Sequence, residues 1–273
     1  MTLTRERIFQ LFKYAVYGFL AVNTAYFFFE SLAGLRFVER DGLDWGEVIV
    51  AFASPIDTAA WLVLLLAFEM ETYVVDDEDL RGRIAWAFAG VNVVCYAIIV
   101  YSFFGYVGVG AIPAGFAAYA GAPPCDLAGT GASLARSLDK YDPLTAANCA
   151  SLGAAPVFNA GLDMFATPAI RDRMAWLATL DIVNSGSWLI VVTILQVEVL
   201  LTATRRLSEA MSNVFRIMKY SLYAVLAFAA FEWARLGAPW DAWDALLWLV
   251  AFFFIELNIL SWQSETGTAA DAG

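Results

Sequence analysis

The sequence predicts an all-α polytopic membrane protein. Six transmembrane helices are expected, as three tandem helical hairpin repeats with one long extracytoplasmic loop. Three observations lead there. Of 273 residues, 61% are hydrophobic and only 16% charged, with a mean hydropathy of +0.65. Soluble domains carry roughly 45–50% apolar and about 25% charged residues. Six stretches meet the length of roughly 20 apolar residues that a bilayer demands. Three of those stretches repeat one polar pattern without a gap.

The spans run in order as Phe9–Leu32, Val48–Val75, Ile84–Val107, Trp176–Leu201, Val214–Phe231 and Ala242–Trp262. The first could be read as a signal peptide. Its apolar run is too long and lacks a small-residue cleavage site, so it is an uncleaved anchor. Hairpin one covers about 9–75, hairpin two about 84–201 with the loop 108–175 inserted, and hairpin three about 214–262. Residues 263–273 form a short flexible tail in this single membrane domain.

Basic residues in short flanks orient such a chain. Arg5, Arg7, Lys13, Arg81, Arg83, Arg205, Arg206, Arg216 and Lys219 lie on one side, and only Arg36, Arg40 and Arg235 in the short loops of the other. The expected location is the inner membrane of a bacterium, multi-pass, with both termini cytoplasmic. The loop 108–175 then faces the oxidising side. It is rich in Gly, Ala and Pro, too poor in apolar residues to pack alone, and holds Cys125 and Cys149, which are expected to pair. Cys95, inside the third span, reads as a small apolar thiol.

The even-numbered spans carry the repeat. They read WLVLLLAFEMETYVV from Trp61, WLIVVTILQVEVLLT from Trp188 and WLVAFFFIELNILSW from Trp248. Four residues before each tryptophan stands Asp57, Asn184 or Asp244, and seven before stands Ser54, Asp181 or Asp241. Eight after stands Glu69, Gln196 or Glu256, and ten after stands Glu71, Glu198 or Asn258. Lys13-Tyr14 with Tyr17 is faintly echoed by Lys219-Tyr220 with Tyr223. On an ideal helix Ser54, Asp57, Trp61 and Glu71 fall within about 100° of arc, with Glu69 some 120° from the centre of that stripe.

Polar residues inside a span face the bundle interior or a hydrated cavity, because hydrocarbon rejects them. The stripes suggest a pseudo-threefold arrangement with two tiers. The outer tier holds Asp57, Asn184, Asp244, Asp181, Asp241 and Ser54. The inner tier holds Glu71, Glu198 and Asn258, and a secondary polar face holds Glu69, Gln196 and Glu256. Lys13 and Lys219 are the nearest cationic partners for the inner tier. The competing structural role makes Asp57 and Asp241 helix N-caps, lets Glu69, Glu71 and Glu256 reach headgroups, and leaves the tryptophans as packing. Asn23 and Asn92 are expected to bond between helices.

Composition excludes much else. There is no histidine, so His-based zinc sites, haem ligation and Ser-His-Asp triads are out. A net charge of −11 repels nucleic acid, which is excluded as a partner. Phosphate-binding loops and nucleophile elbows are missing. The expected function is an integral membrane channel or transporter for a cation, a proton or a metal ion, using intramembrane carboxylates. The alternative is a non-catalytic accessory subunit of a larger membrane complex. An enzyme acting on lipid is the weakest reading, and no cofactor is implied. Expected partners are the lipid bilayer, a cation, and other membrane subunits or a second copy of the chain.

Overall fold

A computed structural model describes residues 5–38, 45–73 and 82–254. The helices are α1 (Arg5–Val38), α2 (Trp45–Ala51), α3 (Ala53–Tyr73), α4 (Arg83–Ala111), α5 (Pro168–Ala203) and α6 (Glu209–Arg235), followed by α7 over 239–254. Five of them, α1, α3, α4, α5 and α6, are long and apolar enough to cross a membrane. The fold is thus mostly helical and consistent with a helical membrane protein. The sixth expected span, Ala242–Trp262, begins within α7, and its residues 255–262 lie outside the described residues.

Helix boundaries follow local chemistry. Pro55 has no N–H to give and its ring crowds the carbonyl four residues back. The helix is interrupted one turn earlier, at Phe52, which separates α2 from α3. Thr167 starts α5: its Oγ1 accepts from Ile170 N at 3.2 Å, and Pro168 takes the first helical position, where no N–H is needed. Ser208 caps α6 by accepting from Met211 N at 3.3 Å. That helix ends on Gly237, whose φ of 76° suits glycine, with Ala238 N donating to Trp233 O and Gly237 N to Ala234 O.

The chain divides into two compact units, each treated by itself. The first comprises Met1–Asn23 and Asn184–Gly273. Within it α1 and α7 run antiparallel. Phe9 and Phe12 meet Phe254 edge to face at 5.1 and 5.9 Å, while Phe19 meets Trp243 at 6.0 Å. Offset and edge contacts of this kind suit the quadrupole of the rings. From α5, Trp188 stacks on Phe252 of α7 at 4.3 Å and touches Tyr223 of α6 at 6.3 Å.

The second unit comprises Thr24–Val183. Here α4 packs on α2 and α3 through glycine. A Cβ on Gly105 would stand 2.7 Å from Ala53 Cβ and 2.8 Å from Ile49 O, and one on Gly108 would stand 2.6 Å from Val50. Small residues that let backbones close together are the usual solution in a span, where lipid gives no hydrophobic drive.

The expected long loop is corrected. Helix α4 runs on to Ala111 and α5 begins at Pro168, so the connection is 112–167, and it packs its own core. It contains β1 (Ala117–Ala118), β2 (Ser133–Ala135), β3 (Tyr141–Pro143), β4 (Val157–Asn159) and β5 (Met164–Ala166). The sheet order is β1-β4-β5-β2-β3, antiparallel except for β2 with β5. The chain is therefore not purely helical. Ala132, Leu134, Leu144, Cys149, Leu152 and Phe165 form the core, with Tyr119, Leu127 and Phe158 against it. Phe165 lies 4.5 Å from Phe158 and 4.9 Å from Tyr119. The expected Cys125–Cys149 disulfide is present, joining two short 3-10 helices at a Cα separation of 5.1 Å. The apolar residues are few, but sheet and disulfide concentrate them. Asn159 ties this module to α4, donating Nδ2 to Ile112 O at 3.2 Å.

Candidate functional site

In the second unit the polar level lies between α3 and α4. Asp57 is buried, and Tyr106 of α4 donates its hydroxyl to Asp57 Oδ2 at 3.3 Å. Asp57 is not an N-cap, because α3 begins four residues earlier and the residue lies inside it. Ser54 is half-buried, and its carbonyl accepts from Thr58 Oγ1 at 2.9 Å. Trp61, Leu65 and Glu69 continue the buried row from Asp57 at steps of four. Glu69 is 5% exposed and lies on the packed side of α3, although its spacing puts it off the stripe. An i, i+4 ridge drifts around an ideal helix, and packing follows the ridge rather than a straight line down the wheel. Glu71 is helical, with its side chain outside the described residues. Asp181 also belongs to this unit and is half-buried.

In the first unit the row on α5 runs Asn184, Trp188, Val191, Leu195 and Glu198. All but the half-buried Asn184 are buried. Gln196, the counterpart of Glu69, is exposed. The repeated positions therefore differ in their surroundings. Glu198 is engaged: Lys219 Nζ of α6 donates to Glu198 Oε2 at 2.8 Å, with both side chains at or below a tenth exposed. Removing charge from hydrocarbon into a close, hydrogen-bonded pair is the arrangement that tolerates burial. Lys13 of α1 is buried as well, with its ammonium 5.3 Å from the Tyr14 ring.

The same unit holds a second polar cluster. Asn23 of α1 donates Nδ2 to Asp244 Oδ1 of α7 at 3.2 Å, and the Trp248 side chain also hydrogen-bonds to Asp244. The four-residue spacing of Asp244 and Trp248 thus makes an in-helix hydrogen bond. Asp241 is half-buried and follows the start of α7, so it does not precede the helix as an N-cap would. Trp61, Trp188 and Trp248 are all buried. Within the first unit Trp188 and Trp248 both meet Phe252, at 4.3 and 6.3 Å. Glu256 and Asn258 lie outside the described residues.

Two pairings, Tyr106 with Asp57 and Asn23 with Asp244, were not read from sequence. Tyr106 carries no repeat signature. Asn23 was expected to bond between helices, but nothing in its neighbourhood names Asp244. Among the described residues no group of three His, Cys, Asp or Glu side chains is placed to hold a metal ion. What the arrangement offers chemically is a set of carboxylates, each held by a close hydrogen-bonding or cationic partner. No family model matches the chain, and no curated protein or solved structure shows a likeness to it.

Proposed function

We propose that the chain is a proton-conducting membrane protein, a channel or transporter whose working carboxylate is Glu198. The observation that supports it is the buried Glu198–Lys219 pair, 2.8 Å between oxygen and nitrogen. Intramembrane ionisable residues cost several kcal/mol unless paired, and proton pathways are built from them. A proton arriving on Glu198 neutralises the carboxylate and dissolves the pair. Its departure restores the charge and re-forms the contact. Such a pair has two discrete arrangements, and protonation biases between them. A lysine already on the carboxylate competes with a metal cation at that oxygen, which favours the proton over a metal ion in this reading. Conduction of this kind needs no covalent intermediate, so the chain is read as a non-enzyme.

The test is proton entry into liposomes carrying the purified chain and an entrapped pH-sensitive dye, under an imposed potential. The wild type is expected to acidify the lumen, and Glu198→Gln to fall to the rate of protein-free vesicles while keeping the wild-type elution profile. Equal rates for the two proteins would remove Glu198 from the path. No flux from the wild type would remove the reading.

A second reading, an accessory subunit of a membrane complex, is favoured by the folded module at 112–167. A disulfide-linked sheet outside the spans offers a rigid surface for another subunit. Purification in mild detergent separates the two: stoichiometric partners support the subunit, and a lone chain or homo-oligomer supports the conductor.

A further inference from the structure

Asn23 is 1% exposed, and its Nδ2 donates to Asp244. Its other polar atom, Oδ1, is buried and has no hydrogen-bond partner among the described residues. A buried acceptor left without a donor is costly, so an occupant that donates is expected there. Trp248 uses its own donor on Asp244. An ionised carboxylate only accepts, whereas a carboxylic acid has one O–H to give. We propose that Asn23 and Asp244 form a proton-holding site, in which the acid O–H of Asp244 donates to Asn23 Oδ1 while Asn23 Nδ2 donates to the other carboxyl oxygen.

The exchange is balanced: a proton from water joins one carboxyl oxygen, and its loss returns the carboxylate and frees Oδ1. The surroundings suit an uncharged group. From α1 the contact is the neutral Asn23, and one turn along its own helix α7 it is the neutral Trp248. On its own helix Asp241 stands three residues before, an acid that adds no positive charge. At the end of α6 the one basic side chain, Arg235, is paired with Glu232 of the same helix at 2.6 Å. On α5, Asn184 occupies the repeat position that Asp244 occupies on α7. A carboxamide is the neutral isostere of a protonated aspartic acid, so that level of the repeat already uses an uncharged side chain. The inference deepens the proton reading by naming a second group that holds the ion.

Infrared difference spectroscopy on the full chain in lipid, with carbon-13-labelled aspartate, tests it during a pH titration. A labelled protonated-carboxyl C=O band is expected near neutral pH, lost in Asp244→Asn and shifted in frequency by Asn23→Leu. Should Asp244→Asn not fold, Asp57→Asn, Asp181→Asn and Asp241→Asn must each keep the band. No labelled acid band at neutral pH would overturn the site, as would a band that survives Asp244→Asn. An ionised Asp244 with an ordered water on Asn23 would overturn it too. The band present without proton flux refutes conduction alone. Flux without the band refutes this site alone.

Discussion

Residues 112–167 and the helix that leads into them sort their apolar side chains in opposite ways. In the module Met164, Phe165 and Ala166 are 0% exposed. On α4, Trp86 is 80% exposed, Val93 68% and Phe104 61%. The first pattern is what water enforces, since burial of apolar area drives the collapse. The second is what a lipid solvent allows, because hydrocarbon tails are as apolar as the side chains they meet. The helix instead places small residues, Gly105 and Gly108, where it needs contact. One chain thus follows two packing rules, and the switch falls near Ala111, where α4 ends and Asn159 holds its last turn.

That contrast can be broken by substitution. Phe165→Ala should cost about 3–5 kcal/mol, as for a large aromatic removed from a closed core. Trp86→Ala should stay within about 0.5 kcal/mol, as for an exposed position. Thermal unfolding of the two variants in the same lipid–detergent mixture checks both, and equal losses would erase the distinction. The disulfide comes next. Cys125 and Cys149 enclose a separation of 24 residues, so Cys125→Ser with Cys149→Ser should cost about 2–4 kcal/mol. The loss should appear as proteolysis within 112–167, with the helical signal retained.

The smallest effect concerns pH. Asp139, in the turn between β2 and β3, has its carboxyl pushed up to about 7, first by burial among neighbouring atoms and then by Glu30, against the opposing charge of Lys140. Lys140 Nζ lies 3.4 Å from Glu30 Oε1, and Tyr26 donates to the same oxygen at 3.1 Å. A carboxyl raised in the folded state binds its proton more tightly than in the unfolded one. Its stabilising contribution is complete below the unfolded value of 3.8 and is lost as pH rises through about 7. The residue also presents surface to solvent, which screens the effect. A modest fall in melting temperature from about pH 5 to pH 8 is expected, flattened in Asp139→Asn. An unchanged slope in that variant would assign the pH dependence elsewhere.

Much of the helical frame was legible. Long apolar runs have one economical solution, and α1, α3, α4, α5 and α6 follow from them. The Cys125–Cys149 bridge was legible because span counting put both cysteines in one loop. The sheet was not, since strands of two or three residues are too short to show alternation. The polar pattern was legible as a repeat but not as an environment. Glu69 and Gln196 hold equivalent positions, yet one is buried and the other exposed. Helix rotation and neighbours decide that, and neither is written in the spacing. Lys219 was visible as a partner for the glutamate tier because it lies near the end of its span. Tyr106 and Asn23 meet Asp57 and Asp244 through pairings that only the packed helices reveal.

In the proposed function Glu198 is held by Lys219 until a proton replaces that hold. Unfolding of Lys219→Met and of Lys219→Met with Glu198→Gln, compared with the wild type at neutral pH, tests it most directly. The single variant strands a buried carboxylate and should lose about 3–5 kcal/mol, and the double variant should recover most of that loss. Equal stability of the single variant and the wild type would contradict a buried charge pair at Glu198 and Lys219, as would a double variant no more stable than the single.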